Sequence, residues 1–297
     1  MKILITGTTG FIGLNLVRKL HKDHQIYALS RQEPSKLIKD LKNIVFVNLD
    51  LNKKFNYDFE CDYIIHAAAI SKIGNFSDNV IMMKNLLEWA SKKKVKYFLN
   101  LSSISIYDNN DDKSIDEYSK PFKPNLYGQS KLDSEKILEK FANFKKIKAI
   151  SIRLCGVVGI DAKNFVTNLV QNVIDKKDIN IYSKKALFNN IIHVSSITDY
   201  AFQFPIVAKK NYDFFNVGAS NPMKLESVCK LIFAAFKLSI SASVPLPTLT
   251  TYLAFNKDLI LLSNKSTAVP NVKSVFLTTF SIDLIIFFRF DKNCFFK

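Results

Sequence analysis

The chain has 297 residues, 48% of them hydrophobic and 23% charged, enough to bury a large core in one or two domains and unlike a disordered or fibrous chain. Its formal charge of +16 comes from 42 basic residues, of which only Arg18, Arg31, Arg153 and Arg289 are arginine. Specific nucleic-acid readers rely on arginine forks, so the scattered lysines argue against a specific nucleic-acid partner and leave a surface that attracts anionic small molecules.

The first element is the most informative. Ile3, Leu4 and Ile5 form a short apolar run that reads as a buried parallel strand, and Leu14, Leu16, Val17 and Leu20 have helical spacing. Gly7, Gly10 and Gly13 lie between them, on a strand-to-helix turn. That context suits a phosphate loop: one glycine for the tight turn, one for close approach to a pyrophosphate and one for helix–strand packing, with free N–H groups at the helix start.

Gln25–Leu29 reads as the second strand and is followed by Ser30 and Arg31. A dinucleotide fold that prefers NAD carries an acidic residue here, whereas a serine and a guanidinium suit a 2′-phosphate. NADP(H) is therefore the favoured cofactor, with NAD(H) as the alternative. Ile44–Leu49 is the third strand and ends at Asp50 and Leu51; Asp62–Ile65 is the fourth and ends in His66, Ala67, Ala68 and Ala69. His66 reads as a packed strand-end residue. Asn79–Ser91 is a helix whose Met and Leu stripe is core, and Val95–Leu101 is a fifth strand running into Ser102 and Ser103. This alternation predicts an α/β fold with a doubly wound parallel sheet.

Tyr127 and Lys131 are four apart, on one face of a helix that continues through Phe141. A tyrosine titrates near 10, and a nearby ammonium favours its phenolate. With the Ser103 hydroxyl on the substrate oxygen, the three residues can relay a proton during hydride transfer. Further strands are predicted at 149–154, 179–182, 191–194 and 214–217, and helices at 165–174 and 226–236. Cys61, Cys155, Cys229 and Cys294 lack metal-ligand spacing, so free thiols and no metal site are expected, and with no leader before the first strand a cytoplasmic location.

In this order TGTTGFIG at 6–13, HAAA at 66–69, LSSISIY at 101–107, PFKPNLYGQSK at 121–131, RLCGVVG at 153–159, IIHVSSI at 191–197 and FNVG at 215–218 resemble an extended short-chain dehydrogenase/reductase of the NAD-dependent epimerase/dehydratase group, which acts mostly on nucleotide sugars. The resemblance covers roughly residues 1–235. It implies a Rossmann-type NAD(P)-binding domain over 1–160 and a smaller substrate-binding region over 161–297, interleaved with the last sheet elements. It assigns Gly7, Thr9, Gly10, Phe11, Ile12 and Gly13 to the pyrophosphate, Asp50 and Leu51 to the adenine, and Ala67, Ala68 and Ala69 to the ribose side. Val157 would lie near the nicotinamide. Tyr127 would be the acid/base, Lys131 the ribose ligand that tunes it, and Ser103 the group that polarises the reacting oxygen. A homodimer formed through the helices at 79–91 and 127–141 is implied as well.

Departures from the family pattern narrow the reading. Ile104 and Ser105 stand where 4,6-dehydratases carry an Asp-Glu pair, no cysteine lies between 102 and 106, and Ser30 and Asn189-Asn190 replace residues usual in UDP-hexose 4-epimerases. NADPH-linked reduction of a 4-keto sugar nucleotide ranks first, a nucleotide-sugar 4-epimerase second, and a catalytically silent cofactor binder third. The stretch after about 240 lacks the family's closing helices. Its apolar segment 275–290 contains Asp283 and is short for a membrane span, so a membrane contact by this tail is not favoured.

Overall fold

The computed structural model describes residues 1–71, 74–108, 115–159, 161–175, 177, 187–188, 191–218, 223–241, 253–254 and 286–287. Two compact units divide the chain: Met1–Cys155 with Val194–Val217, and Gly156–His193 with Gly218–Lys297.

The first unit is built on seven parallel strands: β1 (Lys2–Thr6), β2 (Gln25–Ser30), β3 (Ile44–Asn48), β4 (Tyr63–His66), β5 (Tyr97–Ser103), β6 (Lys148–Leu154) and β10 (Tyr212–Val217). Their order is β10-β6-β5-β4-β1-β2-β3, and every neighbouring pair is parallel. The chain moves outward from β1 in one direction and returns to start again at β4. The crevice between β1 and β4 is thus the topological switch point, where ligands of doubly wound sheets bind beyond the strand ends.

Helices α1 (Phe11–Leu20), α3 (Ser77–Ala90), α4 (Leu126–Lys145) and α6 (Val194–Val207) cover the sheet, and α2 (Lys36–Lys39) is a single turn. Strand alternation sets the two faces. Leu4, Ile64, Phe98 and Ala149 share one face with Met83, Leu86 and Trp89 of α3 and Leu138 and Ala142 of α4. Tyr63 points the other way, where its hydroxyl donates to the Ala201 carbonyl of α6 at 3.1 Å and its ring meets Phe204. Both faces of the central strands β1, β4, β5 and β6 are buried, so these strands read as near-continuous apolar runs.

The second unit pairs β7 (Gly156–Val158) with β9 (Ile191–His193) in parallel, and β8 (Leu187–Phe188) with β11 (Met223–Lys224) antiparallel. Helices α5 (Phe165–Ile174) and α7 (Leu225–Ser241) pack around Val158, Val166, Leu169, Val228 and Ile232. Asn164 and Thr167 form a capping box that starts α5. β12 (Leu253–Ala254) and β13 (Ile286–Phe287) form a parallel two-residue pair. The predicted strand at 179–182, Asn189-Asn190, Cys294 and, apart from 286–287, the apolar segment 275–290 lie outside the described residues. No helix among the described residues is long and apolar enough to cross a membrane.

Candidate active site

The glycine loop leaves β1 with Gly7 at φ +70°, a region that favours glycine, and a Cβ there would lie 2.8 Å from the backbone of Ala68. The β1 and β4 loops therefore touch backbone to backbone. Gly10 caps α1 without a side chain, and the first turn holds no acidic residue. Helix geometry leaves the N–H groups of Phe11, Ile12 and Gly13 without acceptors inside the helix. That end of α1 fits an anionic diphosphate.

Under the loop lies a small buried network that sequence patterning does not reveal. The Thr6 hydroxyl pairs with His66 Nδ1 at 2.9 Å and accepts the N–H groups of Ala67 and Ala68, both at 3.1 Å. With two N–H groups aimed at its oxygen, the hydroxyl is the donor to Nδ1, which requires a neutral imidazole. Burial, with a smaller push from Lys131, lowers His66 to about 3, in keeping with that assignment. His66 and Thr6 thus hold the alanine loop against the glycine loop.

Ser103 closes β5, and the chain turns at once into a 3₁₀ turn at Ile104–Tyr107. The Ser103 Oγ accepts the N–H of Ser105 at 3.1 Å, and its hydroxyl lies near enough to the Tyr127 phenol to lower that group's pKa. Tyr127 is the second residue of α4. Asn125 caps this helix, accepting the Gly128 N–H at 2.7 Å, while its amide reaches Asp108. Gly128 allows the close fit, since a Cβ there would lie 2.1 Å from the Ser105 carbonyl oxygen.

Lys131, one turn on, is fully buried and donates to the Leu101 carbonyl at 2.8 Å; its Nζ lies 5.8 Å from the Tyr127 ring centroid. Burial lowers Lys131 to about 8, opposed by Glu135 one turn further along α4. Tyr127 is raised above its ordinary value by burial, which outweighs the opposing influence of the Ser103 hydroxyl. This differs from the expectation that the ammonium would depress it: the lysine is engaged with a backbone carbonyl, and desolvation of the phenolate dominates.

A second buried network braces α4. Arg153 donates to both Glu135 oxygens, with Nη2 at 2.7 Å, and its Nη1 reaches the Tyr107 hydroxyl. Asn79 of α3 binds Ser130 of α4 at 3.0 Å and both backbone groups of Ile70. The sequence reading took the Met and Leu stripe of 79–91 as core and assigned Asn79 no partner. A polar residue heading an apolar helix, and a glutamate four positions after Lys131, were the signals that could have exposed these partners.

The remaining expected residues fall as follows. Ser30 donates to the Gln32 carbonyl at 2.6 Å, so its proton is spent inside the protein, while Arg31 is exposed beside it. Asp50 accepts the Asn52 N–H at 3.0 Å in a local turn, and Leu51 is part of the core. Thr9 is exposed in the glycine loop and Ala69 just beyond β4. Val157, expected beside the nicotinamide, belongs to the second unit, where its carbonyl accepts from Asn164 at 2.6 Å.

The chain is similar to several known proteins. Over 189 residues the chain is 30% identical to GDP-6-deoxy-D-talose 4-dehydrogenase of Aggregatibacter actinomycetemcomitans, a match spanning 60% of each chain. It is 23% identical to ADP-L-glycero-D-manno-heptose-6-epimerase of Brachyspira hyodysenteriae over 85% of this chain and 84% of that one. Its fold matches UDP-glucuronic acid 4-epimerase from Bacillus cereus, solved with NAD, at a TM-score of 0.68 and 21% identity, covering 80% of this chain and 83% of that one. The NAD dependent epimerase/dehydratase family model matches residues 3–204. The chain belongs to the NAD dependent epimerase/dehydratase family of enzymes.

Proposed function

We propose that the protein is an NADPH-linked reductase of a 4-keto sugar nucleotide. The observation that carries the reading is that Gly128 seats α4 against the turn after Ser103, with Tyr127 beside it and the buried Lys131 ammonium 5.8 Å from the Tyr127 ring. A bound nicotinamide would supply the hydride to C4. Tyr127 gives its phenolic proton to the C4 oxygen and Ser103 holds that oxygen, so a ketone becomes a secondary alcohol with one hydride and one proton gained. Lys131, one turn along α4, would hold the ribose of the nicotinamide nucleotide. A phenol held above its ordinary value by burial starts the cycle protonated, which suits reduction. The relative named as a sugar-nucleotide 4-dehydrogenase supports chemistry at C4, since that name describes the same step in reverse.

Arg31 supports the preference for NADPH, and with Ser30's proton committed it does so alone. A homodimer through α3 and residues 127–141 of α4 completes the proposal, with Ile81 of α3 exposed for that contact.

A 4-epimerase is the second reading, favoured by the epimerases among the relatives and structural neighbours. The two readings part on cofactor turnover. A reductase consumes NADPH in step with a 4-keto sugar nucleotide, followed by loss of NADPH absorbance. An epimerase copurifies with NAD(H) and interconverts UDP-sugars without net consumption. Tyr127→Phe should keep NADPH binding and lower turnover about 10²-fold or more; unchanged turnover removes Tyr127 from the mechanism.

A further inference from the structure

In this fold the strand ends form the edge used by the site described above. The opposite edge, where the strands begin, is lined with lysine. Lys92, Lys93 and Lys94 follow α3 and Lys96 leads into β5; Lys145 and Lys146 close α4 and Lys148 opens β6; Lys209 and Lys210 lie between α6 and β10. Hydrogen bonds tie these segments into one strip. The Lys148 N–H donates to the Lys96 carbonyl at 2.9 Å, Lys148 Nζ to the Lys209 carbonyl at 2.6 Å, and Lys145 Nζ to the Ser91 carbonyl at 3.3 Å.

Few acids answer this charge. Asp58, Asp62 and Asp213 each hold one lysine, namely Lys93, Lys96 and Lys210. Glu60, just ahead of β4, is a further acid on this edge, and Asp23 and Asp40 stand ahead of β2 and β3 at its far end. Lys92, Lys94, Lys145, Lys146, Lys148 and Lys209 have no carboxylate partner among the described residues. Two large apolar side chains stand out from the same edge: Phe144 in the last turn of α4, 81% exposed, and Ile206 at the end of α6, 79% exposed. Because α4 and α6 cover opposite faces of the sheet, these two flank the strip from either side.

Helix dipoles explain part of this arrangement. Helix C-termini converge on this edge, and lysines after α3 and α4 complement their partial negative charge. The dipole does not account for Lys148, which opens a strand, and it gives no reason to expose Phe144 and Ile206.

We propose that this edge docks onto an anionic lipid membrane, with the lysines against the headgroups and Phe144 and Ile206 entering the interface. Apolar side chains beside a lysine field are what a peripheral membrane contact uses, with two weak signals combined. Compact ammonium groups on flexible stems suit mobile headgroups, whereas a nucleic-acid groove would call for guanidinium forks. Docking by this edge keeps the glycine loop, which lies at the strand ends of the same sheet, away from the membrane.

The test is sedimentation of the full-length protein with phosphatidylcholine vesicles, with and without phosphatidylserine. Binding is expected only with phosphatidylserine and should vanish at about 0.5 M salt. The variant K145E/K146E/K209E/K210E should bind at least about 100-fold more weakly, and Phe144→Ser with Ile206→Ser about tenfold more weakly. A control with the same change in net charge, K36E/K39E/K53E/K84E, should keep most of the affinity. Circular dichroism and NADPH binding report whether each variant is folded. Equal losses in the two quadruple variants would reduce the effect to net charge and overturn the proposal. So would binding to a short DNA duplex as tight as to the anionic vesicles, or failure of the wild type to sediment with them.

Discussion

Gly128 rests so close to Ser105 that a Cβ on it would lie 2.1 Å from the Ser105 carbonyl oxygen and 2.7 Å from its carbonyl carbon. This contact sets the height of α4 above the turn that follows Ser103, and so brings the Tyr127 phenol within reach of the Ser103 hydroxyl. Gly128→Ala tests the point sharply, because two effects compete. In an ordinary helix the change would stabilise by up to about 1 kcal/mol. Here the methyl group meets rigid backbone, and overpacking of this kind costs about 1–3 kcal/mol. Net destabilisation in urea is expected, with turnover lowered at least about tenfold because Tyr127 is shifted relative to Ser103. A variant as stable and as active as the wild type would show that α4 does not need this fit.

Arg31 follows β2 at the C-terminal edge of the sheet, exposed, while its neighbour Ser30 spends its proton on Gln32. If a 2′-phosphate is recognised there, the guanidinium does it. Arg31→Ala should weaken NADPH binding about tenfold or more and leave NADH nearly unchanged. Fluorescence titration with each nucleotide measures both. Equal losses would remove the reason to favour NADPH.

Much of the fold was legible because its signals are local. Apolar runs marked the strands, and the glycine loop and the Tyr127–Lys131 spacing lay on the elements expected, with β1, β5 and α4 within a few residues of their predicted bounds. The braces were not legible, because each joins residues far apart in sequence through one polar contact. Thr6 and His66 are sixty positions apart, and nothing in either neighbourhood names the other. Asn79 was hidden by the apolar pattern around it. Leu51, assigned to the adenine by resemblance, has its side chain in the core, since a strand-end residue of a dry sheet serves packing first. The effect of Lys131 on Tyr127 was misjudged for a related reason: charge proximity is readable from spacing, but burial is not.

Glu135 joins Arg153 to Lys131. It accepts a bidentate bond from the guanidinium and holds the Lys131 ammonium up against desolvation. The charged groups around Lys131 are Glu135 and, when ionised, Tyr127 and His66; Arg153, Tyr107 and Tyr212 face Glu135. Activity that needs the ammonium should decline above pH 8, and removing the negative charge should move this alkaline limb of kcat/KM to lower pH. Glu135→Gln alone leaves a buried arginine unpaired, which costs about 3–5 kcal/mol. The double variant E135M/R153M removes both charges and should be far milder in stability. A limb shifted downward in the folded double variant supports the link, and an unmoved limb breaks it.

His66 gives the chain a measurable acid sensitivity. Its neutral ring accepts from Thr6, and burial lowers it from 6.5 to about 3. Between those values the unfolded chain binds a proton that the folded chain does not, so stability rises with pH and falls as acid is added, by about 1.4 kcal/mol per pH unit at most. The contribution is fully present above the unfolded value and is lost as pH drops toward 3. From pH 7 to pH 5 the loss through this one group is about 2 kcal/mol. Other groups titrate over the same range, so the comparison must be made with His66→Gln, whose amide oxygen can accept from Thr6 and does not titrate. Urea unfolding of both proteins at the two pH values should show the wild type losing about 2 kcal/mol more than the variant. Equal losses would mean that the ring is protonated in the folded state, and the Thr6 hydroxyl would then have to accept from His66 Nδ1, with its own proton turned elsewhere.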